Sequence, residues 1–353
     1  MWLTRTAAAS SNTPTATLQF SLTAKAMKFN LDLANDDSEW DALVATSPQG
    51  SVFSNGHYLR ALGTPFARYV VRTPHGEVLA GMAVMENSTK PGMHAGPFPF
   101  VPYQGILFCE RVAAQPCHKR VTMELRLTEY IIQSLIEHYG DFSMSLSPAF
   151  DDIRPFLWHN YHEMDARHFT IHNRYTALLN IASFQLESYL MSIRTVRRQE
   201  FNKSVAEIVE TTDVEAFVGL YLKTFERQDI AITQEKQAML RSIVTSSLTN
   251  GYGRLSMAVT VDGVASMMLF IFDQHCAYYL LGANDYELRK SGASTALMVD
   301  NICSMSERGL SLLDFVGVNS PTRGDFKLSF NPKLTAYHEV QLDAPSVRSE
   351  HST

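Results

Sequence analysis

The stretch from Tyr279 to Glu307, YLLGANDYELRKSGASTALMVDNICSMSE, constrains this chain more than any other. An apolar run closes on a glycine. A short polar link then opens into a helix that reads as beginning near Arg289, with Gly292, Ala293 and Ser294 in its first turn. Small residues there let an anion approach several unpaired backbone N–H groups, where the helix dipole also favours negative charge. The spacing Arg289-x-x-Gly292-x-Ser294 suits a pyrophosphate held at a helix start, and so predicts a nucleotide-bearing cosubstrate.

At 353 residues the chain has room for two domains of about 100–200 residues each. Its formal net charge is -6, and no long basic stripe offsets it, which argues against a DNA-tracking surface. Cys109, Cys117, Cys276 and Cys303 are scattered, without a CxxC pair, and read as reduced thiols. No apolar run approaches the roughly 18–20 residues that a membrane-spanning helix needs. Residues 1–26 contain no Asp or Glu, are rich in Ala, Ser and Thr, and lack the compact apolar core of a secretory signal. They read as a flexible extension, with patterned sequence starting at Met27, and the expected compartment is the cytoplasm.

Two blocks follow, each passing from helices into strands, and the similar order of elements implies duplication of one mixed α/β unit. In the first, residues 27–183, a helix over 36–45 turns Trp40, Leu43 and Val44 inward, and Ser54 is placed to cap a second helix through Tyr58, Leu59 and Leu62. Strands over 67–72 and 78–85 flank Pro74-His75-Gly76, and a helix over 117–139 ends at Gly140. The second block, 184–345, opens with one helix over 184–201 carrying Arg194, Arg197 and Arg198. Helices over 213–227 and 233–248 precede strands over 255–261, 264–272 and 276–281, the first two joined by Asp262-Gly263. The glycine-started helix, a strand over 311–316, a short helix over 323–330 and a last strand over 334–340 complete it. Residues 346–353 read as a disordered tail.

An ordered set of residues in the second block resembles the Gcn5-related N-acetyltransferase superfamily, and more closely its double-domain FemAB-like branch. The set is Tyr221 and Phe225-Glu226-Arg227, then Tyr279-Leu280-Leu281-Gly282-Ala283, Arg289-x-x-Gly292-Ala293-Ser294, Leu313-Asp314-Phe315-Val316-Gly317, and Phe326-Lys327-Leu328-Ser329-Phe330. In the first block Phe53-Ser54 before Tyr58, and Pro102-Tyr103-Gln104-Gly105, look like the same branch. The resemblance implies an α/β (mixed α+β) fold of two tandem acyl-CoA N-acyltransferase-like domains, each a central mixed sheet flanked by helices. It also implies acyl-CoA or acetyl-CoA as cosubstrate, bound along the strand of Leu280 and Leu281 with its phosphates near Arg289, Gly292, Ala293 and Ser294. Ser294 stands where Gly or Ala is more usual. The implied acceptor is an amine of a small molecule or precursor. Some relatives draw activated amino acids from aminoacyl-tRNA, so tRNA is a second implied partner, and a noncatalytic scaffold on the same fold is a third reading.

Acyl transfer to an amine needs oriented reactants, an amine relieved of its extra proton, and stabilised oxyanion charge. Asp314 sits among apolar neighbours, where burial raises a carboxyl pKa toward base chemistry. The plainer alternative is a fixed carboxylate that supports the loop from Asn319. Asp285 is the second catalytic candidate. Tyr103, Gln104, Arg227, Asn319 and Lys327 are the candidate substrate-binding residues, each with a packing or ion-pair alternative; for Lys327 that is a pair with Asp314. The histidines show no HExxH spacing, so no metal is expected, and no GxSxG elbow marks a covalent route. The chain reads as a monomer or homodimer.

Overall fold

The computed structural model describes residues 28–86, 93–94, 98–163, 165–227 and 231–342. The expected extension (1–26) and tail (346–353) lie outside the described residues. Two sheets organise the rest. The smaller contains β1 (Asn30–Leu33), β2 (Phe66–Arg72), β3 (Val78–Glu86) and β4 (Met93–His94) in that order, with β5 (Leu107–Phe108) also on β3. The larger takes β6 (Phe142–Ser145), β7 (Phe169–Asn180), β8 (Glu207–Glu210), β9 (Gly253–Thr260), β10 (Gly263–Phe272), β11 (Cys276–Asn284), β12 (Leu312–Asp314) and β13 (Lys333–Leu342). Its spatial order is β6-β13-β7-β12-β11-β10-β9-β8.

The helices in chain order are α1 (Asp37–Thr46), α2 (Gly56–Ala61), α3 (Glu110–Ala113), α4 (Cys117–Tyr139), α5 (Arg154–Trp158), α6 (Leu186–Ser192), α7 (Thr195–Lys203), α8 (Val214–Glu226), α9 (Gln234–Thr249), α10 (Ala293–Glu307) and α11 (Pro321–Leu328). Side-chain caps fix four of the helix starts. Asp36 caps α1 through the N–H of Ser38, Asp213 caps α8 through Ala216, and Thr233 caps α9 through Lys236. Asn55, not Ser54, caps α2, because residues 52–54 tighten into a 3₁₀ turn first. The single helix expected over 184–201 is two. α6 stops at Ser192, Ile193 is extended, and α7 restarts after Arg194.

The lobes are not independent halves. β13, from the end of the chain, runs antiparallel to β7 from Lys333↔Leu178 to Leu342↔Phe169, and pairs on its other edge with β6. One apolar core crosses the junction, joining Trp40, Phe53 and Tyr58 to Phe217, Leu240, Met267 and Tyr278. Phe53 meets Tyr278 edge-on with ring centroids 4.9 Å apart. Strand β10, between β11 and β9, is buried over seven consecutive residues, Ala265–Ile271, which is why its sequence is apolar on both faces apart from Ser266 instead of alternating.

Candidate active site

Strand β11 builds two recesses. It pairs in parallel with β12 only at Cys276–Leu312, Ala277–Leu313 and Tyr278–Asp314. Beyond that point the N–H of Phe315 turns to the carbonyl of Ala177 at 2.9 Å, and the two strands part. On its other edge, Leu281 pairs with Leu269 and Tyr279 with Phe270, so Leu280 is the extra residue of a β-bulge. The bulge and the parting strands together open a cleft of about 570 Å³ along Tyr279–Gly282, reaching Gly292, Ser294 and Thr295 at the start of α10.

That helix starts at Ala293, later than the sequence suggests. Gly292 is its N-cap with φ 79°, a left-handed conformation that a helix interior does not contain. A Cβ there would lie 2.4 Å from the carbonyl oxygen of Glu200 on α7, so glycine lets α7 pack against the helix start. Charge gathers around the cleft. Arg197, Arg227, Arg289, Arg323 and Lys327 line it against the carboxylates of Glu200 and Asp285. The guanidinium groups of Arg289 and Arg227 lie 3.6 and 4.1 Å from the ring centre of Tyr286, and Arg323 lies 5.8 Å from that of Phe225. Glu200 is tied to Arg197 at 2.6 Å and accepts from the Thr295 hydroxyl at 2.6 Å. The residues present fit a phosphate-bearing group: cations exceed carboxylates five to two in a chain whose net charge is -6.

The sequence-derived donor residues come together here. Leu280 and Leu281 form one wall, and Arg289, Gly292 and Ser294 the far end. Ala293 is buried at the first helical position, its N–H donating to Ser291 Oγ at 3.2 Å. The Ser294 hydroxyl is already committed to Asn284 Oδ1 at 2.6 Å. Asp285 lines the cleft while accepting from the N–H of Glu287 at 2.9 Å, a turn contact. Arg197, Arg323 and Tyr286 were not singled out as site residues; the signal available was Arg323 one helical turn before Lys327.

Asp314 lies where the strands part, only 2% exposed. Tyr103 Oη donates to its Oδ2 at 2.8 Å, and the N–H of Val316 (2.7 Å) and the Thr176 hydroxyl donate to Oδ1. Burial raises its pKa from the ordinary carboxyl value, opposed by these hydrogen bonds and by the nearby Lys327 charge. Burial likewise pushes Lys327 down to about 8, partly restored by Asp314. Lys327 Nζ donates to the Val316 carbonyl and lies 5.0 Å from the ring centre of Tyr279, on the cleft floor. The sequence allows for an ion pair between Lys327 and Asp314. The structure instead joins them through Val316, held by one at its N–H and by the other at its carbonyl. Val316 has φ 48°, a costly conformation for a β-branched residue, which this double anchoring sustains.

The second recess, about 720 Å³, lies between the lobes against the start of β11, with Tyr103, Cys276, Tyr278 and Asp314 in its wall. Gln104 lines neither recess. It is 1% exposed, its N–H donates to Ser145 at 2.8 Å, and its side-chain amide has no partner among the described residues. Asn319 also lines neither: its amide clamps the backbone of Tyr175 from both sides, at 2.8 and 2.9 Å.

Comparison with known proteins agrees with this geometry. Residues 192–328 match the acetyltransferase (GNAT) domain family model. No curated protein matches the sequence. Among solved structures, FemX is 12% identical with a TM-score of 0.62, over 88% of this chain and 97% of that one. A tandem GNAT protein from the clavulanic acid biosynthesis pathway is 12% identical with a TM-score of 0.53, over 90% and 99%. The C-terminal domain of a putative lysylphosphatidylglycerol synthetase from Agrobacterium fabrum is 12% identical with a TM-score of 0.51, over 87% and 93%. The second lobe is thus similar to GNAT acetyltransferase domains over residues 192–328, and the chain as a whole shares its fold with FemX and the tandem GNAT protein.

Proposed function

We propose that this protein is an N-acyltransferase that takes an acyl group from acyl-CoA and passes it directly to an amine held between the lobes. The observation that carries the reading is the cleft itself: five cations around a bulged, splayed strand that runs into a glycine-capped helix. Arg289, Arg227 and Arg323 hold the phosphates, and the start of α10 adds its dipole. A bound thioester supplies an electrophilic carbonyl carbon and a thiolate leaving group.

The residues of the chain do the rest. The backbone at Leu280 orients the carbonyl, and the Lys327 ammonium stabilises the charge that develops on its oxygen. Asp314 removes a proton from the acceptor ammonium, consistent with its raised pKa and its place in the wall of the lobe cavity. The amine nitrogen attacks, the C–N bond forms as the C–S bond breaks, and the second proton of the nitrogen leaves with the thiolate as a free thiol. The products are an amide, CoA and the proton taken up by Asp314, which is released to solvent.

The test is mass spectrometry of the full chain after incubation with a panel of acyl-CoAs and amines, alongside titration with CoA. Wild type should bind CoA, and Arg289→Glu should weaken it about tenfold or more, the loss of a charge-assisted phosphate contact and gain of a repulsive one. CoA that fails to bind, with aminoacyl-tRNA consumed in the same assay, would replace the donor. If neither donor is consumed, the scaffold reading takes over.

A further inference from the structure

Two tyrosines of the donor cleft carry hydroxyls that the fold leaves unused. Tyr279 and Tyr221 both line the cleft, at 7% and 8% exposure, and neither hydroxyl has a hydrogen-bond partner among the described residues. Neither oxygen is sealed inside the protein, so each keeps surface that a ligand in the cleft can reach. They are near enough for Tyr221 to act electrostatically on Tyr279. Burial holds both phenols above their ordinary pKa, Tyr221 at about 12, so both stay O–H donors. A donor left unpaired in a largely buried wall costs free energy unless a ligand engages it.

Their corner of the cleft is also positive. Arg323 acts on both Tyr221 and Lys327, and Lys327 Nζ lies 5.0 Å from the ring centre of Tyr279. The two carboxylates of the cleft are engaged elsewhere, Glu200 by Arg197 and Thr295, and Asp285 by the N–H of Glu287. Tyr279 directly precedes the bulge residue Leu280, so the phenols stand beside the place given to the thioester carbonyl. That carbonyl oxygen is served by the Leu280 backbone and Lys327. The phenols remain as donors without an acceptor.

We infer that the donor's acyl group brings its own acceptor: a short acyl chain ending in a carboxylate, received by the Tyr221 and Tyr279 hydroxyls in the field of Arg323 and Lys327. The inference rests on the acyl-CoA reading and narrows it from acyl groups at large to dicarboxylic ones. An ionised carboxylate only accepts, and O–H···O⁻ bonds are roughly twice as strong as neutral ones. A plain alkyl chain of the same length would leave both hydroxyls unpaired, so the cleft discriminates against it.

Calorimetric titration of the full chain with free CoA, butyryl-CoA, acetoacetyl-CoA and malonyl-CoA tests this. The three acyl groups are close in size and present an alkyl chain, a neutral ketone and a carboxylate. Malonyl-CoA should bind about tenfold more tightly than butyryl-CoA, with acetoacetyl-CoA between them. Tyr221→Phe and Tyr279→Phe should each lower the malonyl-to-butyryl ratio about threefold, and the double variant should abolish it. Each keeps its ring contacts, Tyr221 with Phe225 at 4.7 Å and Tyr279 with Phe270 at 5.3 Å, and loses no internal hydrogen bond, so melting temperatures should not fall. If a variant fails to fold, the wild-type ratio decides. A wild-type ratio near one, acetoacetyl-CoA tighter than malonyl-CoA, or a preference that survives the double variant overturns the inference, while binding of free CoA leaves the donor reading standing. Equal losses for free CoA and malonyl-CoA in the variants also overturn it, because the phenols then hold the part common to every acyl-CoA. Failure of all four compounds to bind removes the acyl-CoA reading, and the inference with it.

Discussion

The cleft and the cavity share one strand yet are built in opposite ways. The cleft uses the end of β11, Tyr279 to Asn284, with the helix start directly after it in sequence and a cationic helix face at Arg323 and Lys327. The cavity uses the start of the same strand, Cys276 and Tyr278, and collects the rest from far away: residues 41–55, Tyr103, Leu178 and Leu312. One is cationic and assembled wholly within the second block, residues 197–327; the other is carboxylate-lined and draws on both blocks. Between them stand Asp314 and Lys327, joined through Val316. The contrast teaches that the proposed donor cleft is contained within one lobe, whereas the proposed acceptor cavity exists only where two lobes meet.

The sharpest way to break this comparison is to remove the charge that faces the cavity. If Asp314 takes the amine proton, Asp314→Asn lowers turnover by about 10²–10⁴-fold, the usual span for a general base. CoA binding should stay near wild type, because the cleft lies on the other side of Val316. The wild-type rate should also fall as acidity rises through a pKa above the ordinary carboxyl range, and that acid limb should vanish in the variant. The same change costs stability, because an amide offers one acceptor oxygen where the carboxylate serves Tyr103, Thr176 and the Val316 N–H. Unchanged kcat in a correctly folded variant leaves Asp314 as a structural anchor alone.

On the cleft side the matching change is Lys327→Met. Loss of an oxyanion-stabilising charge predicts a fall in kcat of about 10²–10³-fold with CoA affinity little altered. The pH dependence has a definite sign. The ammonium is present below about 8 and lost above it, so wild-type turnover should decline as pH rises through about 8, and the variant should lack that limb. Stability runs the other way. The folded-state pKa lies below the ordinary value of 10.5, so the cost of burying the ammonium is full below about 8 and relieved between about 8 and 10.5. Wild type should therefore gain stability relative to Lys327→Met across that window, measured as the difference in melting temperature. A difference that stays flat from pH 7 to 10.5 would show that Lys327 is solvated.

How much of this was legible in the sequence follows from the same contrast. The strand–glycine–helix order, the hairpins and the periodic helices are local, and they emerge nearly where expected; α4, for example, spans Cys117–Tyr139 and stops at Gly140, with φ 78°. The boundary of α10 was misjudged because Arg289 and Lys290 are good helix formers, and only the left-handed Gly292 reveals that the turn precedes the helix. The break at Ile193 has no proline or glycine to announce it. β1 and β8 are short edge strands of four residues whose alternation is too brief to read. The cavity was hidden for a different reason. Ser51, Asp41 and Asp273 are ordinary residues until tertiary packing sets them around one space, and Arg197 read as part of a bracing face until α7 folded over the start of α10.

Gly292→Ala tests the local half of the comparison at smaller scale. A left-handed φ of 79° on a residue with a Cβ costs about 1–3 kcal/mol, and the Glu200 carbonyl oxygen 2.4 Å from that Cβ is backbone that cannot rotate aside. Part of the strain should be released by α7 moving away from α10, which disturbs Arg197 and Glu200 together. The expected outcome is a lower melting temperature and weaker CoA binding, with the KM for the amine acceptor in the lobe cavity unchanged. Equal losses in both recesses would mean that the lobes respond as one unit and that the two sites are not separable.

The smallest expected effect belongs to one of the two side-chain hydrogen bonds that reach Asp314 from the first half of the chain. Tyr103, from the first half, donates to Asp314 at 2.8 Å, and burial together with the Asp314 charge holds its phenol well above the ordinary pKa. It stays a donor throughout the working pH range. Tyr103→Phe keeps the ring and its edge-on contacts with Phe53 and Tyr337 at 6.0 and 5.1 Å, so the change removes one donor and little packing. The stability loss should be about 1 kcal/mol, near the usual net worth of a buried hydrogen bond. Without that donor the carboxylate is less stabilised, so its pKa should rise further and the acid limb of the rate should move to higher pH, with kcat on the plateau reduced only a few-fold. An acid limb that does not move would uncouple the first lobe from the chemistry, leaving it to shape the acceptor cavity without tuning the base.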